Sequence, residues 1–391
     1  MQKKNKINNK KNKGITLIAL VVTIAILLIL AGISISYVLG EKGIIGYAKK
    51  AKSDTEKATV EETLKQALTN WQMAKLTGED ISFKDYFQDA EKSGIENFEM
   101  IDENPSEDVQ FIARVDGRIL VMKADNTYVL TKSDNLVKNG FGTNGIENFS
   151  GFTNDGESFS VTLDENRDLT LSDYIEVDTS KKYYQALIGK CNNKNAINYI
   201  GIRETDCDKK IIMNTMRLYV SDSLTYLEKD LNDGDTEIYL HDLSGFITKN
   251  IHLNNLGLIF WNYKDSTGYE YPELTYSRNV WGKLFDESGI DLENNKIKLK
   301  EPWSHGTISK NTKVSQKSDG NTFNYGIVDN KMSTEYSLRE NVIDGIENEG
   351  RGNYQKFCYG TKYIRILFLV NHQSSPNTIV NVKDVIFAEY E

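Results

Sequence analysis

The chain has 391 residues, of which 39% are hydrophobic, and its formal net charge is −9. This length is typical of about two or three folded units, each with enough apolar residues for a core. The first 13 residues hold six lysines and no acidic residue, so residues 14–391 contain 41 basic and 56 acidic residues, a net charge of −15. Because nucleic-acid binding requires a basic surface, this composition argues against nucleic acid as a partner.

A long apolar segment follows the lysine-rich start. Residues 15–39 contain no acidic or basic side chain. A helix of this length rises about 37 Å, which is enough to cross the hydrocarbon core of a bilayer, about 30 Å thick, with some tilt. Lysines on a short leading segment keep that segment in the cytoplasm. The sequence therefore predicts a single-pass protein of the cell membrane, held by the lipid bilayer, with a cytoplasmic amino terminus and most of the chain extracellular.

The junction between the lysines and the apolar segment reads KGITLI, at residues 13–18. It resembles the prepilin signature of type IV pilins and type II secretion pseudopilins. The resemblance implies that a membrane-embedded prepilin peptidase cleaves between Gly14 and Ile15 and that the new amino terminus is methylated. Glycine suits such a site, because a residue without a Cβ lets the backbone approach a protease closely.

One position departs from that family. Its members usually carry a glutamate at the fifth mature position, which the resemblance implies would pair with the amino terminus of a neighbouring subunit, but this chain has Ala19. An unpaired charge is costly inside a membrane, so this means of polymerisation is unavailable. The chain then either assembles with other pilin-like subunits by packing alone or does not assemble. An uncleaved single-span anchor is the alternative interpretation.

Residues 40–78 predict a hinge and an amphipathic helix. Gly40, Gly43 and Gly46 interrupt the helical pattern, and each costs up to about 1 kcal/mol relative to alanine inside a helix. Over Ile44–Leu76, apolar residues recur every three or four positions, while lysine and glutamate fill the other face. The apolar stripe must cover either the protein's own head or a neighbouring stalk.

Residues 79–134 predict a small α+β pilin-like head. Ser82 is placed to cap a short helix, SFKDYFQDAEKS, because its hydroxyl can accept hydrogen bonds from amides of the first turn. Three alternating segments, separated by turns rich in Asp, Asn and Gly, predict an antiparallel meander over Val109–Val115, Arg118–Lys123 and residues 127–131.

The rest of the chain, residues 135–391, has short strands and turns of Gly, Asn and Asp, a texture typical of an all-β sandwich. Residues 136–141 (LVKNGF) and 149–152 (FSGF) resemble the opening of carbohydrate-binding-module-like jelly rolls. Residues 362–370 and 378–390 resemble the closing strand pair of that fold. The predicted fold class is therefore α+β: a transmembrane helix, an amphipathic helix, a small head with a meander, and a jelly-roll-like sandwich.

Residues 183–191 and 197–205 predict a β-hairpin around the sequence NNKN. In that hairpin Cys191 and Cys207 would lie on the order of 30 Å apart, far beyond disulfide range. Together with Cys358 they are also too few for a disulfide framework. Stability is therefore expected to come from packing.

Residues 224–318 predict an insertion with its own hairpins, and it carries the densest cluster of aromatic residues in the chain. Flat rings pack well on the C–H faces of sugars, which makes a polysaccharide partner chemically sensible. Strand alternation, on the other hand, would send about half of the rings into a core. Tyr269, Tyr271 and Trp303 lie in turn-rich sequence, so they are the rings expected to be exposed and the candidate glycan-binding residues.

The insertion also contains an acidic turn with Asp230, Asp233 and Asp235. Closely spaced oxygen ligands can hold calcium, but Gly234 stands where an EF-hand requires a ligand, and no glutamate completes the loop. The sequence favours a turn with solvated acids over a calcium site.

Catalytic and cofactor motifs are absent from the sequence, which has no HExxH, GxSxG, phosphate-binding glycine-rich loop or Cys/His metal spacing. No enzyme activity, cofactor or metal is expected. The leading hypothesis is a pilin-like or pseudopilin-like surface protein for structure and adhesion. The alternatives are an unprocessed anchor for a carbohydrate-binding module and a wall-polysaccharide hydrolase, although no carboxylate pair stands out for the latter.

Overall fold

The computed structural model describes Ile24 and residues 44–390, apart from residues 144, 146, 148, 150, 155–157, 213–217, 250–254, 272–273, 276–282, 319–322, 328–331 and 347–354. The predicted membrane span, apart from Ile24, and the Gly14–Ile15 processing site lie outside the described residues. Within the described part, no helix is both long enough and apolar enough to cross a membrane. The chain divides into two compact units, Met1–Glu96 and Asn97–Glu391.

The first unit is helical where it is described. Its helices are α1 (Ile44–Leu76), α2 (Phe83–Gln88) and α3 (Ala90–Ser93). The predicted end of the amphipathic helix at Leu76 is confirmed, whereas Gly46, predicted to belong to a hinge, lies inside α1. The Oγ of Ser82 accepts a hydrogen bond from the backbone N of Asp85 at 3.0 Å, which confirms the predicted cap. The short helix is divided in two, because Asp89 leaves the helical conformation and caps α3.

An aromatic cluster completes the core of this unit. The last turns of α1 bury residues three or four positions apart, namely Leu64, Ala67, Leu68 and Trp71. The ring of Trp71 meets that of Phe83 edge-on at 5.2 Å, and Phe83 stacks on Phe87 at 4.0 Å. Over these turns, therefore, the apolar stripe packs against the short helices that follow it.

The second unit consists of antiparallel strands. The first twelve are β1 (Phe98–Ser106), β2 (Val109–Val115), β3 (Arg118–Lys123), β4 (Tyr128–Leu130), β5 (Thr153–Asn154), β6 (Phe159–Leu163), β7 (Arg167–Thr170), β8 (Ile175–Glu176), β9 (Lys182–Cys191), β10 (Tyr199–Thr205), β11 (Ile211–Ile212) and β12 (Thr225–Tyr226). The others in the described part are β13 (Glu237–Tyr239), β14 (Leu258–Trp261), β15 (Tyr263–Lys264), β16 (Glu270–Tyr271), β17 (Leu274–Thr275), β18 (Ile290–Asp291), β19 (Lys296–Lys298), β20 (Lys313–Gln316), β21 (Asn324–Ile327), β22 (Ser337–Asp344), β23 (Tyr363–Val370) and β24 (Thr378–Tyr390). A 3-10 turn, Glu287–Gly289, precedes β18. The described structure contains both helices and strands, as predicted, but strands make up most of it.

The strands β1 to β4 form one antiparallel sheet in chain order. The predicted three-stranded meander is confirmed, since β2 pairs with β3 and β3 with β4. The sequence does not predict β1, which pairs with β2 from Phe98 opposite Val115 to Ser106 opposite Val109. Two register shifts interrupt this pairing, and its sequence, FEMIDENPS, lacks the alternation that marks a half-buried strand.

Two further sheets face each other as a β-sandwich. The five-stranded sheet has the order β22-β9-β24-β6-β5, and the six-stranded sheet has the order β11-β10-β23-β7, with β21 beside β10 and β8 beside β23. Their facing sides share one buried cluster, to which Tyr183 and Phe387 contribute from the first sheet and Ile202 and Phe368 from the second. This core is the main one of the second unit.

The predicted hairpin between residues 183–191 and 197–205 is wrong. Strand β9 lies in the five-stranded sheet and β10 in the six-stranded sheet, so the chain crosses from one sheet to the other at NNKN. The consecutive strands β23 and β24 are divided between the sheets in the same way. Adjacency in sequence favours pairing, but a sandwich is also closed by connections between its two sheets. The three cysteines all lie in the described part of the chain, and none of them forms a disulfide there.

The meander packs on the outer face of the five-stranded sheet as a third layer. The shared buried cluster consists of Val109, Ile112, Ile119, Val121, Val129, Tyr184, Ala186, Ile188, Ile386 and Ala388. At its rim the Nζ of Lys123 lies 2.5 Å from Oε1 of Glu340, and the Nζ of Lys383 lies 2.9 Å from Oδ2 of Asp102. The facing sides of the meander and of the five-stranded sheet are thus both buried from water.

Strands β12 to β20 lie within the predicted insertion and have a core of their own. They form the sheets β12-β20-β14-β17, β13-β19-β18 and β15-β16. Their buried cluster includes Leu227, Phe260, Phe285 and Trp303.

Candidate functional site

Trp303, one of the three candidate glycan-binding residues, is a core residue. Its side chain is 2% exposed, and its ring lies 5.6 Å from that of Phe260. Its Nε1 donates a hydrogen bond to the carbonyl O of Gly306 at 2.6 Å. The expectation that Trp303 is exposed is wrong, because the following turn bends back far enough to satisfy the indole N–H while the ring fills the insertion core.

Tyr269 and Tyr271 lie in a different part of the insertion. Tyr269 is half-buried, and its ring centroid is 4.9 Å from that of the more exposed Tyr359. Tyr271 belongs to β16, where its backbone lies opposite Tyr263. Since Trp303 belongs to the separate insertion core, the structure does not group it with Tyr269.

The carboxylates of the acidic turn bind backbone amides. Asp230 accepts from the backbone N of Lys310 at 2.6 Å, Asp233 from Gly306 at 2.7 Å, and Asp235 from Asn232 at 2.7 Å. Three carboxylates committed to three different amides favour a structural turn. In the part of the chain that the structure describes, no group of three or more Asp, Glu, His or Cys side chains is arranged to hold a metal ion.

The outer face of the six-stranded sheet brings charged and aromatic side chains together. Side chains alternate between the two faces of a strand, and the inward ones on β10 and β23 are Ile200, Ile202, Ile364, Ile366 and Phe368. The register places Arg203 opposite Arg365, and it places Tyr363 opposite Thr205, two pairs further along and therefore on the same side. Cβ atoms of such directly opposed residues lie about 4.5–5.5 Å apart. Two arginines and a tyrosine therefore share the outward side.

We call this surface the arginine–tyrosine face, and it consists of Tyr174, Tyr199, Arg203, Tyr325, Tyr363 and Arg365. Tyr174, between β7 and β8, is 37% exposed. Its ring centroid lies 6.5 Å from that of Tyr363 and 5.3 Å from the guanidinium carbon of Arg365. The Nζ of Lys209 lies 4.7 Å from the same ring. One end of the face thus combines two rings with two cations.

The other end is also aromatic. The rings of Tyr199 and Tyr325 lie 5.3 Å apart, and the guanidinium carbon of Arg203 lies 5.0 Å from the ring of Phe323. Burial, followed by the negative charge of Asp168, raises the pKa of Tyr325 above its ordinary value. Its hydroxyl therefore stays protonated and able to donate over the physiological pH range.

Gly201 allows this end to form. A Cβ at Gly201 would lie 1.9 Å from the carbonyl O of Asn324, a backbone atom of β21. Every residue other than glycine would therefore push β21 away from β10. Because β21 carries Tyr325, this close approach is what holds the ring of Tyr325 beside that of Tyr199.

The two arginines are only partly neutralised by the protein. The Nη2 of Arg203 lies 3.7 Å from Oδ2 of Asp168, a long ion pair. The Nε of Arg365 donates to the carbonyl O of Ser172 at 3.1 Å, and among the described residues Arg365 forms no ion pair. The face is therefore a cationic area on an acidic chain.

A buried carboxyl pair lies where the meander meets the sandwich. Asp384 is 5% exposed, and its Oδ2 is buried without a hydrogen-bond partner in the described part of the chain. Burial, followed by the hydrogen bond and charge of Asp102, raises the pKa of Asp384 well above its ordinary value, while Lys383 opposes the rise. These three side chains line a cavity of about 110 Å³. The pair can hold a proton but offers little room for a ligand.

The sequence contains a signal for the arginine–tyrosine face that the density of aromatic residues obscures. In YIGIRET (β10) and YIRILFLV (β23), tyrosine and arginine alternate with isoleucine. Alternation of this kind marks a strand with one buried face and one outward face. The pairing of the two strands, which places Arg203 beside Arg365, is not visible in the sequence.

Comparison with known proteins identifies the amino-terminal segment. Residues 9–35 match the prokaryotic N-terminal methylation motif. No curated protein matches the chain. Among solved structures, the chain is similar to a family 16 carbohydrate-binding module at 7% sequence identity, with a TM-score of 0.23, over 65% of this chain and 100% of that chain. Since the matched motif spans Gly14 and Ile15, the amino terminus is type IV pilin-like, and the motif implies a membrane anchor and processing by a prepilin peptidase.

Proposed function

We propose that the protein is a pilin-like, surface-displayed adhesion subunit whose β-sandwich binds glycans at the arginine–tyrosine face. The methylation motif supports cleavage after Gly14. The apolar residues 15–39 and the preceding lysines support a cytoplasmic amino terminus before cleavage, with most of the chain outside the cell. Its role is structural and binding rather than catalytic, and assembly with other pilin-like subunits proceeds by packing alone, since Ala19 offers no charge.

The arginine–tyrosine face carries the binding part of this proposal. Each end of the face carries a pair of tyrosine rings, with centroids 6.5 Å apart for Tyr174 and Tyr363 and 5.3 Å apart for Tyr199 and Tyr325, and the flat side of a ring is an apolar surface on which a sugar can pack. The guanidinium groups of Arg203 and Arg365 lie between the two ends and supply hydrogen-bond donors for sugar oxygens. Paired strands hold these groups in fixed positions, which lowers the entropy lost on binding.

Processing is tested by mass spectrometry of the mature protein from the native membrane. The expected amino terminus is methylated Ile15. An intact Met1 would instead support the uncleaved anchor.

Glycan binding is tested with the detergent-solubilised full chain on a panel of immobilised polysaccharides. Replacing both Tyr174 and Tyr363 with alanine is expected to weaken retention at least about fivefold, because each ring is a central contact. The matched control is Tyr226→Ala, since Tyr226 is an exposed tyrosine (46%) on β12 of the insertion. Equal retention of all variants would contradict the proposal, and sugar release from a retained polysaccharide would favour the hydrolase alternative.

Tyr269 and Tyr271 provide a second candidate site. The contact between Tyr269 and the more exposed Tyr359 favours it, because two neighbouring rings could again serve a sugar. Loss of retention on Tyr269→Ala, with no loss on changing Tyr174 and Tyr363, would assign binding to this second site.

A further inference from the structure

We propose that the glycan recognised by the arginine–tyrosine face is acidic, and that its carboxylate or phosphate group binds between Arg203 and Arg365. This inference rests on the proposed glycan-binding function and specifies the class of ligand.

The two arginines are positioned as a pair that an anion could bridge. They are directly opposed on neighbouring strands, on the same side of the sheet. Like charges at such positions repel each other and destabilise a sheet. An anion between them would convert the repulsion into two attractive contacts, so the pair suits a ligand with a negative group.

The protein itself supplies few carboxylates to these arginines. Asp168 is 3.7 Å from Arg203, and the nearby Glu176 is paired with Lys362 at 2.7 Å. Asp173 is engaged at the backbone, where its Oδ1 accepts from the N of Tyr174 at 2.8 Å. Arg365 therefore keeps its charge available to a ligand.

Lys209 adds to the positive charge. It places a third cation over the ring of Tyr174, and within the described residues it forms no ion pair. Lys209, Arg203 and Arg365 thus outnumber the one carboxylate that contacts them. This local excess is opposite in sign to the charge of the chain as a whole, which is −9.

The shape of the guanidinium group also suits an acidic ligand. A guanidinium presents a planar fork of N–H donors that matches a carboxylate or phosphate in a bidentate manner. The tyrosine rings at both ends of the arginine pair would hold the sugars on either side of the charged unit. A neutral glycan would use the rings but would leave two neighbouring charges unsatisfied.

An acidic glycan fits better than nucleic acid, which also combines anionic groups with flat rings. A single strand of nucleic acid requires a long cationic groove. The described face has three cations on a chain whose residues 14–391 carry a net charge of −15. Long-range repulsion therefore disfavours a long polyanionic strand that extends beyond these cations, whereas a short acidic oligosaccharide can keep its charges within the face.

The test compares four probes on the detergent-solubilised full chain: oligogalacturonate, its neutral methyl ester, a phosphorylated mannan and single-stranded DNA. At low salt, at least one of the two acidic glycans is expected to bind about tenfold more tightly than the methyl ester, as for hydrogen bonds to a charged group. Added salt is expected to remove most of the difference. Preference for oligogalacturonate or for the mannan identifies the source of the anion as carboxylate or phosphate.

Variants show whether the preference arises at this face. Arg365→Gln is expected to abolish it, and Arg365→Lys to keep part of it, because a lysine retains the charge but not the fork. Should Arg365→Gln fail to fold, Lys209→Gln is expected to reduce the preference. Its matched control is Lys229→Gln, since the Nζ of Lys229 lies 3.6 Å from the ring of Tyr239 in the insertion.

The outcomes separate this inference from the proposed function. If neither oligogalacturonate nor the phosphorylated mannan binds more tightly than the methyl ester, and binding is lost on changing Tyr174 and Tyr363, the acidic ligand is overturned and glycan binding is left intact. Binding of none of the glycans overturns both. Tighter binding of DNA than of either acidic glycan, or equal effects of Lys209→Gln and Lys229→Gln, also overturns the inference.

Discussion

The outward faces of the two sandwich sheets differ in burial and in residue type. On the five-stranded sheet, the outward positions of β9 and β24 are apolar, including Ala186, Ile188 and Ile386, and the meander covers them. On the six-stranded sheet, the outward positions of β10 and β23 include Arg203 and Arg365. The residue type at alternate positions therefore distinguishes a face that becomes core from one whose arginines stay partly exposed.

This difference has an energetic side. Burying an aliphatic side chain contributes about 1.5–3 kcal/mol, so a row of them is sufficient to hold a third layer in place. Burying an arginine without a partner costs more desolvation free energy than the packing contacts would contribute, so a covering layer over the arginines is unfavourable. Arg203 and Arg365 accordingly stay partly exposed, whereas Leu367 on the same side of β23 is buried.

The largest expected effect is at the covered face. Ile386→Ala should lower the free energy of unfolding by about 2–5 kcal/mol, because Ile386 is 1% exposed and its removal leaves a cavity beneath the meander. Ile379→Ala in the same strand is the control, since Ile379 is 37% exposed and should change stability by no more than about 0.5 kcal/mol. Denaturant unfolding of the two variants measures the contrast, and similar losses would mean that the meander does not bury this face.

An intermediate effect is expected at the open face, where Gly201→Ala introduces a Cβ 1.9 Å from a backbone oxygen. The expected loss is about 1–3 kcal/mol, with weaker glycan retention because Tyr325 moves with β21. Gly189→Ala on β9 is the comparison, since its closest contact is the flexible end of Met332. A greater loss of stability for Gly189→Ala, measured in the same unfolding experiment, would contradict the role given to Gly201.

The smallest expected effect is a pH dependence at the edge of the covered face. A raised folded pKa means that the native state holds a proton on Asp384 that the unfolded state releases above about pH 4. Stability should then fall as pH rises from that value towards the folded pKa, by up to about 1.4 kcal/mol per pH unit. In Asp384→Asn this fall should disappear, because asparagine resembles the protonated acid.

Unfolding curves of both proteins across this pH range check the assignment. Parallel pH dependence of the wild type and of Asp384→Asn would show that Asp384 keeps an ordinary pKa. Asp102→Asn should reduce the loss of stability with rising pH without abolishing it, since burial is the larger cause of the raised pKa of Asp384.

Several elements were predictable because their signals are local. Ser82 caps a helix through a hydroxyl three residues from its partner, Asp85. The meander from β2 to β4 follows from alternation and tight turns. Strand β1 was not predictable, because its pairing with β2 is irregular and its own sequence does not alternate.

The burial of candidate site residues and the pairing of some strands were not predictable, because they depend on distant segments. Trp303 lies in turn-rich sequence, yet its ring is buried, because burial depends on segments that fold over it from elsewhere in the insertion. The two strands of the predicted hairpin, β9 and β10, are apolar enough to belong to either sheet, and their separation depends on partners more than 100 residues away.

The sequence by itself determined the amino-terminal segment and the periodicity of helices and strands, because an apolar span, a cleavage motif and an alternating pattern all act over a few consecutive residues. Tertiary structure decided that β9 and β10 belong to opposite sheets, that the meander covers one of them, and that Arg203 meets Arg365 on the other. Each of these depends on strand register between residues far apart in the chain, and one residue of slip would turn every side chain to the other face.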